Sequence, residues 1–524
     1  MVDVSNPNSN FCLSVSFPVM DEQISSYFCA YVFFPLFLFL LSILLLKLKA
    51  KATKPGLRLP PGPWPLPIIG NIHNLMASLP HQALRNLSLQ YGPIMHLRLG
   101  EIHAIIITSP EAAREIMKTH DITFATRPIN TTTDILTGGG RGLLLAPYGE
   151  YWRQMRKICI VELLNLKRVQ SFRIIREHEI DNLILSISSL SLISQPINLR
   201  NQLNALMNDI TVRTVIGSKC KDQNIFLKEL ETVAELAAGF NLIDLFPSSR
   251  AVSMLSRVPS EAKRSIETIT EIMDSVIEEH MARKASGEGD VESLLDVLLK
   301  IKEEDALQFP LTMDTIKPVI SDLFAAGSET ASTTVEWAMA ELIRNPRVMK
   351  QAQSEVRELL KGCTSVKDSD LVRLNYLHLV IKETLRLHPP APLLLPRQCR
   401  ETCRILGYDI PEGATVLINA WAIGRDPKYW EDPEKFRPER FINSNIDFNG
   451  TDFEFLPFGS GRRMCPGMSF GLANVELALA SLLYHFDWKI QNDITPAEDY
   501  MSEALGLTVR RKAPLCLHAV QQGF

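Results

Sequence analysis

Residues 455–470 read FLPFGSGRRMCPGMSF, and a single thiol, Cys465, stands there behind two arginines and among glycines. Five roles are open to such a cysteine: an inert buried hydrophobe, half of a disulfide, a zinc ligand, a nucleophile, or a ligand of iron. The chain has nine cysteines in 524 residues, odd in number and unclustered. That pattern argues against a disulfide framework and fits a reducing compartment. No Cys-x-x-Cys occurs, and the eleven histidines show no His-x-x-x-His spacing, so zinc lacks its usual ligand sets. Cys399 and Cys403 lie near each other in sequence and are expected to pack in or beside a strand.

The neighbours of Cys465 narrow the choice. Glycines let a backbone approach a large flat group and turn tightly beneath a sulfur. Backbone N–H groups in such a turn can hydrogen-bond a thiolate and tune its donor strength. Arg463 can offer a planar fork to a carboxylate. One thiolate beside a carboxylate binder, with no second metal ligand, fits haem better than zinc. An inert cysteine explains none of these neighbours.

Residues Phe458 to Gly467 match Phe-x-x-Gly-x-Arg-x-Cys-x-Gly at every defined position. On this motif the chain resembles the microsomal cytochrome P-450 monooxygenases of plants, from the proline-rich stretch at 59–70 to the C-terminus. It looks similar to the large plant group that oxidises terpenoids and other specialised metabolites. The resemblance implies a mainly α cytochrome P-450 fold with small β-sheets. It also implies haem b held by an axial thiolate from Cys465, which pushes electron density onto iron and favours O–O cleavage. The other implied participants are O2 and a separate flavoprotein, the NADPH-cytochrome P-450 reductase, which delivers electrons from NADPH.

Further motifs gain weight from that resemblance. Ala325-Ala326-Gly327-Ser328-Glu329-Thr330 interrupts an apolar helical run with a glycine, an acid and an alcohol. By itself this could be a solvent-facing turn. The resemblance assigns it to the helix crossing the distal haem face, with a local distortion near Gly327, Thr330 holding water and protons, and Glu329 as relay. Relatives often place Ser or Thr directly after that threonine, whereas this chain has Ala331, followed by Ser332 and Thr333. Glu383-Thr384-Leu385-Arg386 is weak alone, because Glu111–Arg114, Glu261–Arg264 and Glu341–Arg344 share its spacing. With FRPERF at 436–441 downstream, the resemblance makes Glu383, Arg386 and Arg440 a buried structural triad. Trp152 and Arg156 are four apart and share a helical face, which could be merely a solvated basic side. The resemblance sends both to the haem propionates, joined by Arg397 and Arg463, and leaves Arg153 and Lys157 to a docking surface for an acidic reductase.

Substrate contacts implied by the same analogy fall in 127–145, Asp322 to Ala326, Ala391 to Leu395 and Ala504 to Thr508. Asp322, Ala326, Leu393, Leu394 and Leu505 are the named candidates. These segments are mostly aliphatic and small, at Leu393, Leu394, Leu395, Ala504 and Leu505, which suits a lipophilic substrate, and the resemblance makes that a terpenoid such as a sesquiterpene or diterpene. An alkaloid or phenolic substrate is the alternative. A haem-thiolate rearrangement enzyme that does not use O2 is disfavoured by Thr330. A catalytically silent membrane scaffold is disfavoured by the intact motifs.

Several elements must position these residues. Helical periodicity marks 224–238, 259–284, 291–304, 314–344, 349–361 and 372–387, and strand-like runs fall at 93–98, 103–108, 404–408, 414–419 and 507–518. The glycines of TGGGRG (137–142) lack the context of a nucleotide loop and read as a flexible loop. The net charge of −4 carries no basic stripe that would mark a nucleic-acid binder.

The uncharged run 28–46 is long enough to span a bilayer. Lysines follow it and Asp21 and Glu22 precede it, so residues 1–27 are expected in the lumen and the body in the cytosol, at the endoplasmic reticulum. Met20 is an expected alternative start. Residues 47–70 form a basic, proline-rich hinge, with Pro60, Pro61, Pro63, Pro65 and Pro67 making a stiff extended spacer, and 71–524 form the catalytic domain. The stretch 238–248 is apolar and expected to be loop-like, either dipping into membrane lipid or packing against the core.

Overall fold

Apolar periodicity becomes helix wherever one face can be buried, and each of the six expected helical runs appears. They are Gln223–Ala237, Val258–Ala285, Leu294–Glu304, Met313–Arg344, Pro346–Leu359 and Asn375–Leu387. This computed structural model describes residues 56–219, 222–238, 240–286, 292–304, 311–490, 500–504 and 506–522, with 34, 35, 37–39 and 41. The tail 1–27, Met20, most of the anchor 28–46 and Leu505 lie outside the described residues. Among the described residues no helix is long and apolar enough to cross a membrane.

The long helix Met313–Arg344 organises the body. Thr312 and Thr315 close a capping box at its start, and Asn345–Pro346 ends it by opening the next helix with proline in the first turn. It packs most extensively on Leu199–Ile216 and next on Met468–His485. From Ala331 to Leu342 every residue is buried, as befits a central helix surrounded by others. Between Asp322 and Thr330 only Phe324 and Ser328, one turn apart, are buried. That half-open stretch in the middle of the core marks the site.

Nine short strands among the described residues form three sheets. β1 (Ile94–Leu99) pairs antiparallel with β2 (Ile102–Ile107), and β2 pairs parallel with β7 (Thr415–Ile418), Ala104 opposite Thr415. β4 (Arg397–Gln398) closes this sheet on β7. β3 (Ile197–Asn198), β9 (Cys516–Gln521) and β8 (Phe486–Ile490) make a second sheet, and β5 (Cys403–Ile405) and β6 (Tyr408–Ile410) a third. The late strand expected over 507–518 begins only at Cys516; residues before it form a turn bridged at Glu503 and Arg511.

Two connecting segments take definite partners. The described part of the proline-rich stretch belongs to the compact unit, which begins at Arg58. Its backbone runs beside β1, with His96 N–H donating to the Pro61 carbonyl at 2.9 Å and the Asn71 amide to the Pro63 carbonyl at 3.1 Å. Proline removes donors but not acceptors, so those carbonyls remain free to take bonds from a sheet edge. The segment 238–248 contains a helical turn, Leu242–Leu245, and its Phe246 packs on the sheet residues around Leu97 and Ile106.

Candidate functional site

The cysteine loop is closed by a hydrogen bond from Cys465 N–H to the Phe458 carbonyl at 2.9 Å. Gly461 adopts φ +70° and lies against the Met117 backbone and the Asp121 carboxylate, where a Cβ would collide. Its role is thus loop geometry and close packing. Cys465 sits deep in the body, yet its own surface is open. Burial raises its thiol pKa, while the Gly467 N–H, which bonds the sulfur, and the positive charge of Arg156 oppose that rise. Both opposing contacts favour a thiolate.

Around it the fold gathers arginines from four distant segments. Arg463 donates to the Ala125 and Ala146 carbonyls at 2.6 and 2.7 Å, with its guanidinium 4.0 Å from the centre of the Trp152 ring. Trp152 donates its indole N–H to the Leu143 carbonyl at 3.0 Å, and Arg156 donates to the Met464 carbonyl inside the cysteine loop. Arg397 reaches Ser460 O at 2.9 Å and Asp121 at 3.4 Å. Arg127, not singled out from the sequence, joins them and donates to the Leu144, Leu395 and Pro396 carbonyls. Of these partners only Asp121 is an anion. Burial and the neighbouring guanidiniums therefore push Arg463 down to about 9 and Arg127 well below its usual range. Burial alone takes Arg397 down to about 10, against the pull of Asp121.

On the opposite side lies the half-open part of the long helix. A Cβ at Gly327 would come within 3.6 Å of Phe470, five residues beyond Cys465, and 3.3 Å of Thr211. The missing side chain lets three helices approach closely. The helix continues as α from Met313 to Arg344, with no 3-10 or π segment at Gly327. Thr330 donates its hydroxyl to the Ala326 carbonyl at 2.7 Å, which satisfies it within the helix. Glu329 faces the turn at 504–510: its carboxyl bonds the Thr508 side chain, and Arg510, paired with Glu231 at 2.7 Å, lies near it. Burial raises its pKa, Arg510 lowers it, and Glu231 and Glu235 add to the rise.

Asp322 does something its sequence neighbourhood did not announce. One carboxylate oxygen accepts the N–H groups of Leu143 and Leu144 at 2.6 and 3.0 Å, fastening loop 137–146 to the long helix. Burial pushes its pKa up to about 6 against those two bonds. Gly142, at φ +88°, lets the loop pass so close that a Cβ would sit 2.6 Å from the same oxygen. The glycine-rich stretch is therefore a tied turn, with Gly142 N–H also donating to the Tyr151 hydroxyl at 3.1 Å. Leu394 lies beside Gly459 of the cysteine loop, while Leu393 packs with the β1–β2 sheet cluster.

Beneath these groups Glu383 bonds Arg386 twice at 2.8 Å, Arg440 at 2.9 Å and the Arg437 N–H at 2.8 Å. Arg386 also donates to the Gly424 and Pro433 carbonyls at 2.6 and 2.7 Å. The three side chains meet and are buried, pinning the segment that leads into the cysteine loop.

The profile of the cytochrome P450 family matches residues 60–516. This chain belongs to the cytochrome P450 family. Curated relatives of the P450 include desmethyl-deoxy-podophyllotoxin synthase of Sinopodophyllum hexandrum, 50% identical over 92% of this chain and 96% of that protein. The 5-epiaristolochene 1,3-dihydroxylase of Nicotiana tabacum is 47% identical, covering 92% and 97%. Dolabradiene monooxygenase of Zea mays is 49% identical, covering 90% and 94%. A zebra fish cytochrome P450 solved with abiraterone superposes with a TM-score of 0.71 at 25% identity, over 85% of this chain and 99% of that one. The protein is a P450 monooxygenase.

Family membership implies haem-thiolate iron, O2 and a redox partner, and the residues of this P450 fit such a group. Cys465 is an open thiol held in a closed loop. Arg127, Arg156, Arg397 and Arg463 converge with one carboxylate among their named partners, a buried surplus of positive charge that the two propionates of a haem would offset.

Proposed function

We propose that this P450 inserts one oxygen atom from O2 into a terpenoid, a sesquiterpene or diterpene, using electrons from NADPH delivered by a separate flavoprotein reductase. A bound haem would supply the activation of oxygen. Cys465 would ligate its iron, and Trp152, Arg156, Arg397 and Arg463, with Arg127, would hold its propionate side. Thr330 holds a water and passes protons toward the reacting centre, which requires its hydroxyl to leave the Ala326 carbonyl. Glu329 resupplies the protons, and its raised pKa keeps it able to carry one. Glu383, Arg386 and Arg440 hold the segment before Cys465 in register.

The observation that carries the substrate reading is the state of the polar groups facing the half-open helix. Asp322 is used up by two backbone N–H groups and Thr330 by a carbonyl, which leaves Leu323, Ala325, Ala326 and Leu394 as an aliphatic lining, with, among the described residues, only the Ser328 and Thr211 hydroxyls near Gly327 lacking a protein partner. Relatives named for olefins point the same way. A second reading, an alkaloid or phenolic substrate, is favoured by the relative named as a podophyllotoxin-type synthase.

The body is proposed to lie on the cytosolic face of the endoplasmic reticulum, held by the anchor 28–46. Trp64, Ile68, Leu242, Met254 and Leu255 are exposed apolar side chains that suit a lipid surface, whereas Phe246 belongs to the sheet core. Exposed Arg153, Lys157 and Arg462 offer charge to an acidic reductase surface.

The test is the reduced carbon monoxide spectrum followed by turnover. A thiolate-type Soret shift and reductase-dependent consumption of NADPH with a plant terpene panel are expected. Absence of the shift sinks the haem-thiolate reading; turnover without reductase would favour a rearrangement enzyme. Turnover of phenolics and not terpenes would replace the substrate class.

A further inference from the structure

Cys399 and Cys403 lie in a part of the fold that the reaction does not use. Cys399 extends β4, donating its N–H to the Ala414 carbonyl at 2.9 Å and accepting the Gly413 N–H at 2.8 Å. The chain then turns through Arg400–Thr402 and re-enters a strand at Cys403, which pairs with Ile410. The Cys399 sulfur lies 3.0 Å from the Glu401 carbonyl inside that turn and 3.8 Å from the carbonyl of Ile410. The Cys399 thiol thus donates within the turn and sits beside Ile410, the residue opposite Cys403 in the β5–β6 pair, and both cysteines pack in one apolar cluster. Their exposures differ: Cys399 is buried and Cys403 is partly open to solvent.

We propose that Cys403 and Cys399 are a peroxide-modified dithiol, in which Cys403 is the attacking sulfur, Cys399 the resolving one, and a reversible disulfide the product. The asymmetry suits the two roles. Cys403 is the sulfur that peroxide can reach, whereas Cys399 is buried and its thiol is held by the Glu401 carbonyl. Cys403 thiolate attacks hydrogen peroxide, forming an S–O bond as the O–O bond breaks, and hydroxide leaves to be protonated to water. The Cys399 sulfur then attacks the Cys403 sulfur. An S–S bond forms, the S–O bond breaks, and the departing oxygen takes the Cys399 proton as a second water. Two thiols lose two electrons, peroxide is reduced to two waters, and a dithiol reductant reverses the step.

The modification has a route to the site. Cys399 is two residues past Arg397, whose guanidinium meets Asp121 and the Ser460 carbonyl of the cysteine loop. Drawing the 399–403 turn into a disulfide displaces the end of β4 and with it Arg397.

The experiment oxidises the full-length holoenzyme with stoichiometric hydrogen peroxide, blocks free thiols with an alkylating reagent, and maps peptides without reduction. A Cys399–Cys403 crosslink two hydrogens lighter than the dithiol, removed by dithiothreitol, is expected. Cys399→Ser should instead trap Cys403 as a sulfenic acid, captured by dimedone, and Cys403→Ser should leave Cys399 free. Wild type should lose turnover in a part that dithiothreitol restores, and Cys403→Ser should lack that restorable part. Free thiols at both positions in oxidised wild type, oxidation of Cys403 only to higher acids, or the same restorable loss in Cys403→Ser would overturn the proposal.

Discussion

Asp322 shows how much a single residue can differ from its sequence neighbourhood. Among apolar helix residues it looks like a polar handle for substrate, yet both of its bonds go to the loop at Leu143 and Leu144. Its folded pKa of about 6 lies above the ordinary 3.8, so between those values the folded protein holds a proton that the unfolded chain has lost. The group thus opposes folding above pH 6 and stops opposing it below 3.8; by itself it makes the protein gain stability as pH falls from 7 toward 5. Asp322→Asn should flatten that part of the pH dependence of the melting temperature. Asp322→Ala should cost about 2–5 kcal/mol in denaturant unfolding, because two buried N–H groups lose their acceptor. An unchanged pH slope in the Asn variant would remove Asp322 as its source.

At the scale of elements, the helix Asn375–Leu387 and the segment 424–440 are joined through one carboxylate. Glu383 serves two arginines and a backbone N–H, all removed from water. Glu383→Ala strands those charges and should destabilise by about 3–5 kcal/mol, with haem content per protein falling in the purified enzyme. Retained stability and haem content would show that the segment is held by other contacts. The long helix gives the opposite expectation. The Thr330 hydroxyl bonds its own helix, so Thr330→Ala should change stability by less than about 0.5 kcal/mol. Product formed per NADPH should nevertheless drop, with peroxide released instead; unchanged coupling would take Thr330 out of proton delivery.

For the whole molecule, the exposed apolar residues extend beyond any one helix. Trp64 is 82% exposed, and the segment bearing it runs along β1, while Leu245 and Ser248 bond Glu101 in the turn after β1. Residues 58–70 and 242–255 thus approach the same hairpin, and both carry exposed apolar side chains. Brominated-lipid vesicles should quench a fluorescence component that Trp64→Phe removes. Equal quenching of wild type and variant would place the lipid surface elsewhere.

What the sequence by itself determined were features written in contiguous residues. The cysteine loop, the Glu-x-x-Arg helix and the long helical runs are short-range patterns, and each is complete within a few turns of chain. The meeting of Glu383, Arg386 and Arg440 was expected only through the family resemblance, because the Glu-x-x-Arg spacing by itself recurs at Glu111, Glu261 and Glu341. Only the tertiary structure brought Asp121 and Arg127 to the arginine cluster, turned Asp322 toward the loop, aimed Glu329 at Thr508 and Arg510, and set the Cys399 sulfur beside Ile410, the strand partner of Cys403. Pairing such as Ala104 with Thr415 joins segments separated by most of the chain. Local spacing cannot specify those partners, since a side chain's bonds are settled by which distant backbone is buried against it once water is excluded.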